Sequence, residues 1–266
     1  MIKTSSERND VTTDAAIEFD SIVVTRPLGQ SPELAAKLQH ALASLDKPPQ
    51  IEHFPLIRIE PLQNVPSESI VPDMVIFISS NAVKHFAHLE HLKFTVADSQ
   101  LFAVGENTAK SVKDYLSRDA FYPQKMNAEG LLALPELTNV MGQQWLIIKG
   151  EGGRALLREV LLTRGAKVTE IDVYKRCLPS LEAQKGIQEK AKRRPLWLIS
   201  SAEALNNLHR ILGLSDNAEH HTKIIITSER LAELALQKGF IIVSQSAGAA
   251  EEQLVQCVKN LFYNQE

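Results

Sequence analysis

Cysteine is scarce in this chain of 266 residues: Cys177 and Cys257 are the only two, far apart and without the paired spacing of a zinc site. Two thiols are also too few for a disulfide framework, so a reducing cytoplasm is the expected setting. No apolar run approaches the ~18 residues that span a bilayer, and no membrane attachment is expected. Positive charge is not in excess either, with 29 Lys and Arg against 32 Asp and Glu for a net charge of -3. The broad basic surface that nucleic acid requires is therefore missing, and any anionic ligand must be met locally. The first twenty residues, MIKTSSERNDVTTDAAIEFD, carry charge of both signs and lack the apolar segment of a secretory signal. Residues 1–20 read as a disordered leader.

Apolar residues make up 44% and charged residues 23%, a globular balance, and the length suits two domains. Short aliphatic runs alternate with helical patterns: SIVVT, MVIFIS, QLFAVG, WLIIKG, KVTEIDVY, LWLIS and KIIIT. Continuously apolar runs of this length suit strands covered on both faces, as in parallel sheets of α/β proteins. Between them, Leu34, Leu38, Leu42 and Leu45 repeat on one helical face after Ser31-Pro32. Leu156, Leu157, Val160 and Leu161 form another stripe, ended by Gly165.

The second half of the chain repeats the first. MVIFISSNAVKHF matches PLWLISSAEALNNL, setting Ser79-Ser80 on Ser200-Ser201, and QLFAVGENTAKSVKDY matches KIIITSERLAELALQKG, setting Gly105 on Ser228. SIVVTRPLGQSPELAAKL matches WLIIKGEGGRALLREVL, and HFPLIRIEPL matches EIDVYKRCLP. The simplest architecture is two similar α/β domains with a cleft between them. The chain is cut either near residue 140, or at the HFPLIRI and VYKRCLP strands acting as a paired crossover. In the second case residues 56–177 are inserted into a domain built from 21–55 and 178–266.

Ligands of open α/β sheets sit beyond the carboxyl ends of the strands, where helix N-termini offer free N–H groups. Six loops of this kind are legible: Thr25-Arg26-Pro27, Ser79-Ser80-Asn81, Gly105-Glu106-Asn107-Thr108, Lys149-Gly150-Glu151-Gly152-Gly153-Arg154, Ser200-Ser201 and Thr227-Ser228-Glu229-Arg230. Small hydroxyl residues are also what ordinary helix caps require, and Ser200 with Glu203 has the spacing of a capping box. Gly150, Gly152 and Ala155 fit a variant dinucleotide fingerprint, with Asp172 as its acidic partner. Against that reading, the glycines do not recur in the matched loop VTRPLGQ. His85, His88 and His91, three apart, read as a solvated helix face rather than a metal site. No carboxylate or histidine stands beside a candidate nucleophile in a recognisable elbow, so covalent catalysis is unsupported. Tyr174 is the one aromatic hydroxyl at the expected crossover, suited either to packing or to proton donation.

In this order and spacing the chain resembles the uroporphyrinogen-III synthase family, from about Ser21 to the C-terminus. The resemblance rests on VTRP, FPLI, ISSNAV, AVGENTA, YPQ, LPEL, KGEGGR, RGAKVTEIDVYKR, ISS and TSERLAELA. It implies two flavodoxin-like domains with parallel sheets, joined by a two-stranded linker with the substrate cleft between them, and no cofactor or metal. It implies a cytoplasmic, monomeric enzyme, open to transient contact with the preceding pathway enzyme. Its reaction closes linear hydroxymethylbilane to uroporphyrinogen III with inversion of ring D and loss of water.

By position in the family motifs, Tyr174 is expected to assist hydroxide departure, and Thr108 matches a family cleft threonine. The family's threonine pair in the last loop is replaced here by TSER, around Ser228. The substrate-binding set is expected to comprise Arg26, Ser79, Ser80, Asn81, Gly105, Thr108, Lys149, Gly150, Gly152, Gly153, Arg154, Ser200, Ser201, Thr227 and Ser228. Two other readings stay open: a non-catalytic two-domain anion-binding protein, and a nucleotide-dependent enzyme using the Gly150–Gly152 loop.

Overall fold

A computed structural model describes residues 19–27, 32–63, 71–153, 155–216, 218 and 220–263. The chain divides into two compact units, one formed by residues up to Ile57 with Leu178–Glu266, the other by Arg58–Cys177. The leader expected over residues 1–20 lies outside the described residues except for its last two. Those two are held in place: Phe19 is buried, and the Asp20 carboxylate pairs with Arg194 at 2.9 Å.

Elements are numbered along the chain. Unit 1 contains β1 (Ser21–Val24), α1 (Pro32–Leu42) and β2 (Gln50–His53), then α7 (Leu181–Ala191), β8 (Pro195–Leu198), α8 (Ala202–Ile211), β9 (Lys223–Ile226), α9 (Glu229–Gln237), β10 (Ile241–Gln245) and α10 (Glu251–Tyr263). Its five strands are all parallel in the order β2-β1-β8-β9-β10. Counted within the unit this is 2-1-3-4-5, the flavodoxin order. Alternate residues of each strand face opposite layers. Ile22, Val24, Leu196, Leu198 and Ile225 meet Leu34, Leu38 and Leu42 of α1 and Leu254 and Val258 of α10. Each fully buried leucine of that stripe contributes about 2 kcal/mol.

Unit 2 contains β3 (Arg58–Pro61), β4 (Met74–Phe77), α2 (Ser80–Phe86), α3 (Glu90–Lys93), β5 (Gln100–Ala103), α4 (Glu106–Leu116), α5 (Ala128–Leu132), β6 (Gln144–Gly150), α6 (Leu156–Thr163) and β7 (Lys167–Cys177). The sheet order is β3-β7-β6-β4-β5, with β3 antiparallel to β7 and the rest parallel. Both faces of β4, β5 and β6 are covered, which is why these three strands read as unbroken apolar runs. Val75, Phe77, Leu101, Leu146 and Ile148 face one layer, while Ile76, Phe102, Trp145 and Ile147 face the other.

The internal repeat is thus visible as a shared four-strand core, β2-β1-β8-β9 in unit 1 and β7-β6-β4-β5 in unit 2. The fifth strand differs. Unit 1 adds β10 beyond β9, whereas unit 2 adds β3 beyond β7 and keeps only a one-residue bridge, Phe121 on Phe102, where β10 would stand. Leu56 and Ile57 belong to unit 1, because Leu56 donates its N–H to Thr25 and accepts from the Asn207 side chain at 2.8 Å. No helix among the described residues is long and apolar enough to cross a membrane. Both cysteines are free thiols.

Candidate active site

Parallel pairing brings the carboxyl ends of the strands to one edge of each sheet, and the hydroxyl-rich loops follow there. In unit 1, Thr25 Oγ1 donates to Leu198 O at 2.6 Å, tying the ends of β1 and β8. Next to it the Arg26 guanidinium donates to Ala249 O, while Arg26 O meets His53 Nε2 at 2.8 Å. Ser201, not Ser200, caps α8: its backbone is extended and its Oγ accepts from Ala204 N at 3.1 Å. The cap expected at Ser200 thus stands one residue later, because this loop is one residue longer than the matched loop after β4, and Ala204 rather than Glu203 takes the capping-box position. Thr227 is buried at the end of β9, and Ser228 caps α9, accepting from Leu231 N.

In unit 2, Ser79 leaves β4 in an extended conformation and caps α2, its Oγ accepting from Ala82 N at 3.1 Å. Ser80 Oγ donates to Asn107 O at 3.1 Å, linking the starts of α2 and α4. Asn81 follows in the first turn of α2. Gly105 is the extended N-cap of α4, with Met126 so close that a Cβ would stand 3.1 Å from its side chain. Thr108 lies in the first turn of the same helix and is buried.

Tyr174 occupies the point on β7 where pairing changes partner: Gly150 of β6 stands on one side and Pro61 of β3 on the other, after a register shift between Lys149 and Gly150. Its ring lies on the Gly150 backbone, where a Cβ would come within 2.4 Å of Cζ. Only glycine fits there. The side chain is 1% exposed. Its hydroxyl is 3.1 Å from Ser79 Oγ and accepts from Arg176 Nη2 at 3.2 Å. The Arg176 guanidinium also lies 5.5 Å from the ring centroid, and the His85 ring stacks on the phenol at 5.7 Å.

His85 is therefore not part of a solvated face. The helix breaks after Phe86, so His88 and His91 leave its face, and His85 is half-buried on Tyr174. Burial first, then the positive charge of Lys84, holds its imidazole below the ordinary value. Among the described residues no three His, Cys, Asp or Glu side chains stand together as metal ligands would.

A cavity of about 320 Å³ opens beside this network, lined by Ile78, Val104, Asn127, Lys149, Gly150 and Tyr174, among others. The Lys149 ammonium already faces Asp172 at 2.8 Å and also reaches Gly152 O at 3.3 Å. The Asp172 oxygen has no well-aligned hydrogen bond, so that contact is Coulombic. Gly152 and Gly153 have φ of +76° and +94°, a region that favours glycine. Each glycine of the fingerprint-like loop thus answers a backbone requirement that involves no nucleotide. Arg154 lies outside the described residues. A larger cavity of about 740 Å³, lined by Phe19, Arg194, Pro195, Trp197 and Lys223, lies at the amino ends of β8 and β9. That is the wrong end of an open α/β sheet for its usual ligands.

A family model described as uroporphyrinogen-III synthase HemD matches residues 49–256. A uroporphyrinogen-III synthase of Escherichia coli (strain K12) is 31% identical over 254 residues, covering 90% of this chain and 100% of that protein. The chain belongs to the uroporphyrinogen-III synthase family. The synthase of Chlorobaculum parvum is more distant, 25% identical over 83% of this chain and 92% of its own. The crystal structure of uroporphyrinogen-III synthetase from Helicobacter pylori 26695 has the same fold. Its TM-score is 0.58 at 17% identity, and the match covers 89% of this chain and 97% of that one.

Within this synthase fold, unit 2 gathers Lys149, Gly150, Gly152, Gly153 and Tyr174 around one cavity, with Ser79 joined to it through the Tyr174 hydroxyl and Ser80, Asn81, Gly105 and Thr108 at the neighbouring helix starts. Unit 1 gathers Arg26, Ser200, Ser201, Thr227 and Ser228 on the carboxyl edge of its own sheet. Arg176 went unnoticed in the sequence, although the signal was present. It stands two residues after Tyr174 on a strand, and i, i+2 residues share a face. Met126 and Asn127, which close the cavity from the loop before α5, carried no such signal.

Proposed function

We propose that this chain closes linear hydroxymethylbilane to uroporphyrinogen III, inverting ring D and losing water. The observation that carries the reading is the match to uroporphyrinogen-III synthases through both units, over 90% of the chain. The reaction needs no protein nucleophile, since electrophile and nucleophile both reside in the substrate. Departure of the terminal hydroxyl makes an azafulvene at ring A, the substituted carbon of ring D attacks it, and the spiro intermediate fragments and recloses. The protein's share is to hold the bilane in that near-attack geometry and to disfavour direct closure to the symmetric isomer.

The rim residues suit this task. Main-chain N–H groups and capping hydroxyls at helix starts receive carboxylates without a buried unpaired charge. A cavity of about 320 Å³ is at the small end of ligand pockets, so it takes one end of the tetrapyrrole rather than the whole. Tyr174 at its floor serves hydroxide departure, and Thr108 and Arg26 hold carboxylates. The enzyme works as a monomer in the cytoplasm, in transient contact with the enzyme that supplies its unstable substrate.

The test is to generate hydroxymethylbilane in a coupled reaction, add the purified protein, oxidise the products and resolve the I and III isomers. Predominant III isomer is expected. Isomer I alone, from folded protein, overturns the reading.

A further inference from the structure

Resting on the synthase reading above, we propose that Ser79 is the hydroxyl that meets the departing oxygen of the substrate, and that Tyr174 acts through it as a positioning and proton-supplying residue. Donor and acceptor capacities set the direction of each bond in this network. A hydroxyl has one proton to give and lone pairs to receive, whereas a guanidinium only donates. Arg176 therefore donates to Tyr174 Oη, at 3.2 Å. Two arrangements remain for the 3.1 Å contact between Tyr174 Oη and Ser79 Oγ.

If Ser79 donated, the Tyr174 proton would be left without an acceptor on a side chain only 1% exposed. A buried orphan donor is costly. Tyr174 therefore donates to Ser79. Ser79 Oγ then accepts twice, from Tyr174 and from Ala82 N, and no acceptor among the described residues takes the Ser79 proton. Ser79 is half-buried at the carboxyl end of β4, so this proton is the one the network offers to a ligand. The phenol behind it is packed between Gly150, His85 and Arg176, which hold its hydroxyl toward Ser79.

The proton path balances. The C–O bond of the hydroxymethyl group breaks with its electron pair going to oxygen, and the pyrrole nitrogen lone pair delocalises to leave an azafulvenium cation. The oxygen takes the Ser79 proton and leaves as water, while Ser79 takes the proton of Tyr174. The phenolate so formed faces the Arg176 guanidinium. When ring D loses its α-proton after recyclisation, that proton returns by the same route, and the net change is loss of one water.

The experiment measures kcat and KM for isomer III formation with Ser79→Ala, Tyr174→Phe, the double variant and Ser79→Thr. Each single loss is expected to lower kcat by about 100-fold, the usual scale of acid catalysis, with KM moved less than about threefold. The double variant should be no slower than either single one, because both break the same relay, and Ser79→Thr should recover most of the rate. Should Ser79→Ala fold poorly for want of its cap, Ser79→Asp caps the helix equally well but has no proton to give at neutral pH, and kcat must still fall. Ser79→Ala within about threefold of the parent rate, or a double variant whose losses multiply to about 10,000-fold, overturns the proposal. A parent protein that makes only isomer I defeats the synthase reading instead, and the two failures are distinguishable in one assay.

Discussion

Ser79 and Ser201 do the same local job in the two units. Each is an extended residue beyond the carboxyl end of the third strand of the shared four-strand core, β4 or β8, and each caps a helix by accepting from the N–H three residues on. Yet Ser79 Oγ also meets a buried tyrosine hydroxyl, while among the described residues Ser201 Oγ is bonded only at its cap. The difference comes from the neighbouring strands. At the end of β6, unit 2 has Gly150 with Tyr174 lying over it; after β1, unit 1 has Arg26, and the chain beyond β2 runs through the buried apolar Leu56 and Ile57. A duplicated frame has kept its helix caps in both copies and wired only one of them to a phenol. Capping is a service to the fold, and the added hydroxyl contact is what makes one cap chemically distinct.

The sharpest way to break this comparison is Gly150→Ala. A Cβ would stand 2.4 Å from Tyr174 Cζ and 2.8 Å from its hydroxyl, so the ring must leave its place. Formation of isomer III should fall at least as far as with Tyr174→Phe, by about 100-fold or more, with a stability loss of about 1–3 kcal/mol from overpacking. Kinetics and denaturant unfolding on one preparation check both. A variant with normal kcat would show that the ring's seat on Gly150 is irrelevant to the reaction.

Ser201→Ala sharpens the comparison from the other side. Loss of the cap should cost about 1 kcal/mol of stability, less than Ser79→Ala, which also strands the buried Tyr174 proton, and the kinetic effect should be a few-fold rise in KM rather than the loss of kcat expected at Ser79. Ser79→Ala should therefore have the lower thermal midpoint as well as the lower kcat. Equal kcat losses would mean that capping alone explains both serines.

The smallest expected effect is on pH dependence, and here the two units should behave alike. His85 in unit 2 and His209 in unit 1 are both held below the ordinary imidazole value of 6.5, in each case chiefly by burial. The folded state therefore takes up these protons less readily than the unfolded chain. Their contribution to stability is full above the unfolded value and is lost as pH falls through it toward the depressed folded values. Thermal midpoints should drop between about pH 7 and 5, and His85→Gln and His209→Gln should each flatten part of that slope. A parent protein whose midpoint is flat across that range contradicts both assignments.

Much of the frame was legible because its signals are local. Doubly covered strands such as Val75–Phe77 and Ile224–Ile226 are continuous apolar runs, and the α1 stripe carries helical spacing. Edge strands were harder. β2 offers a single aliphatic residue, Ile51, because its residues are only partly covered, and no residue of β10 is fully buried. The cap at Ser201 was misplaced by one residue because two adjacent serines offer the same chemistry and only the loop length chooses between them. His85 was read as solvated from spacing along a helix that in fact stops at Phe86.

By itself, then, the sequence determined the α/β class, the two-fold repeat and the small polar residues at strand ends, since each follows from hydrophobic period and cap preference over a few neighbouring positions. The family was legible as well, because ordered motifs survive where individual contacts do not. Only the tertiary structure decided which of those residues act together. The Tyr174–Ser79–Arg176 network joins positions up to 97 residues apart, from Ser79 to Arg176 (176 minus 79). It exists because β7 slips one register against β6 and exchanges one pairing partner for another at Tyr174. Register and partner choice are settled by packing over the whole sheet, and no local stretch of sequence encodes them.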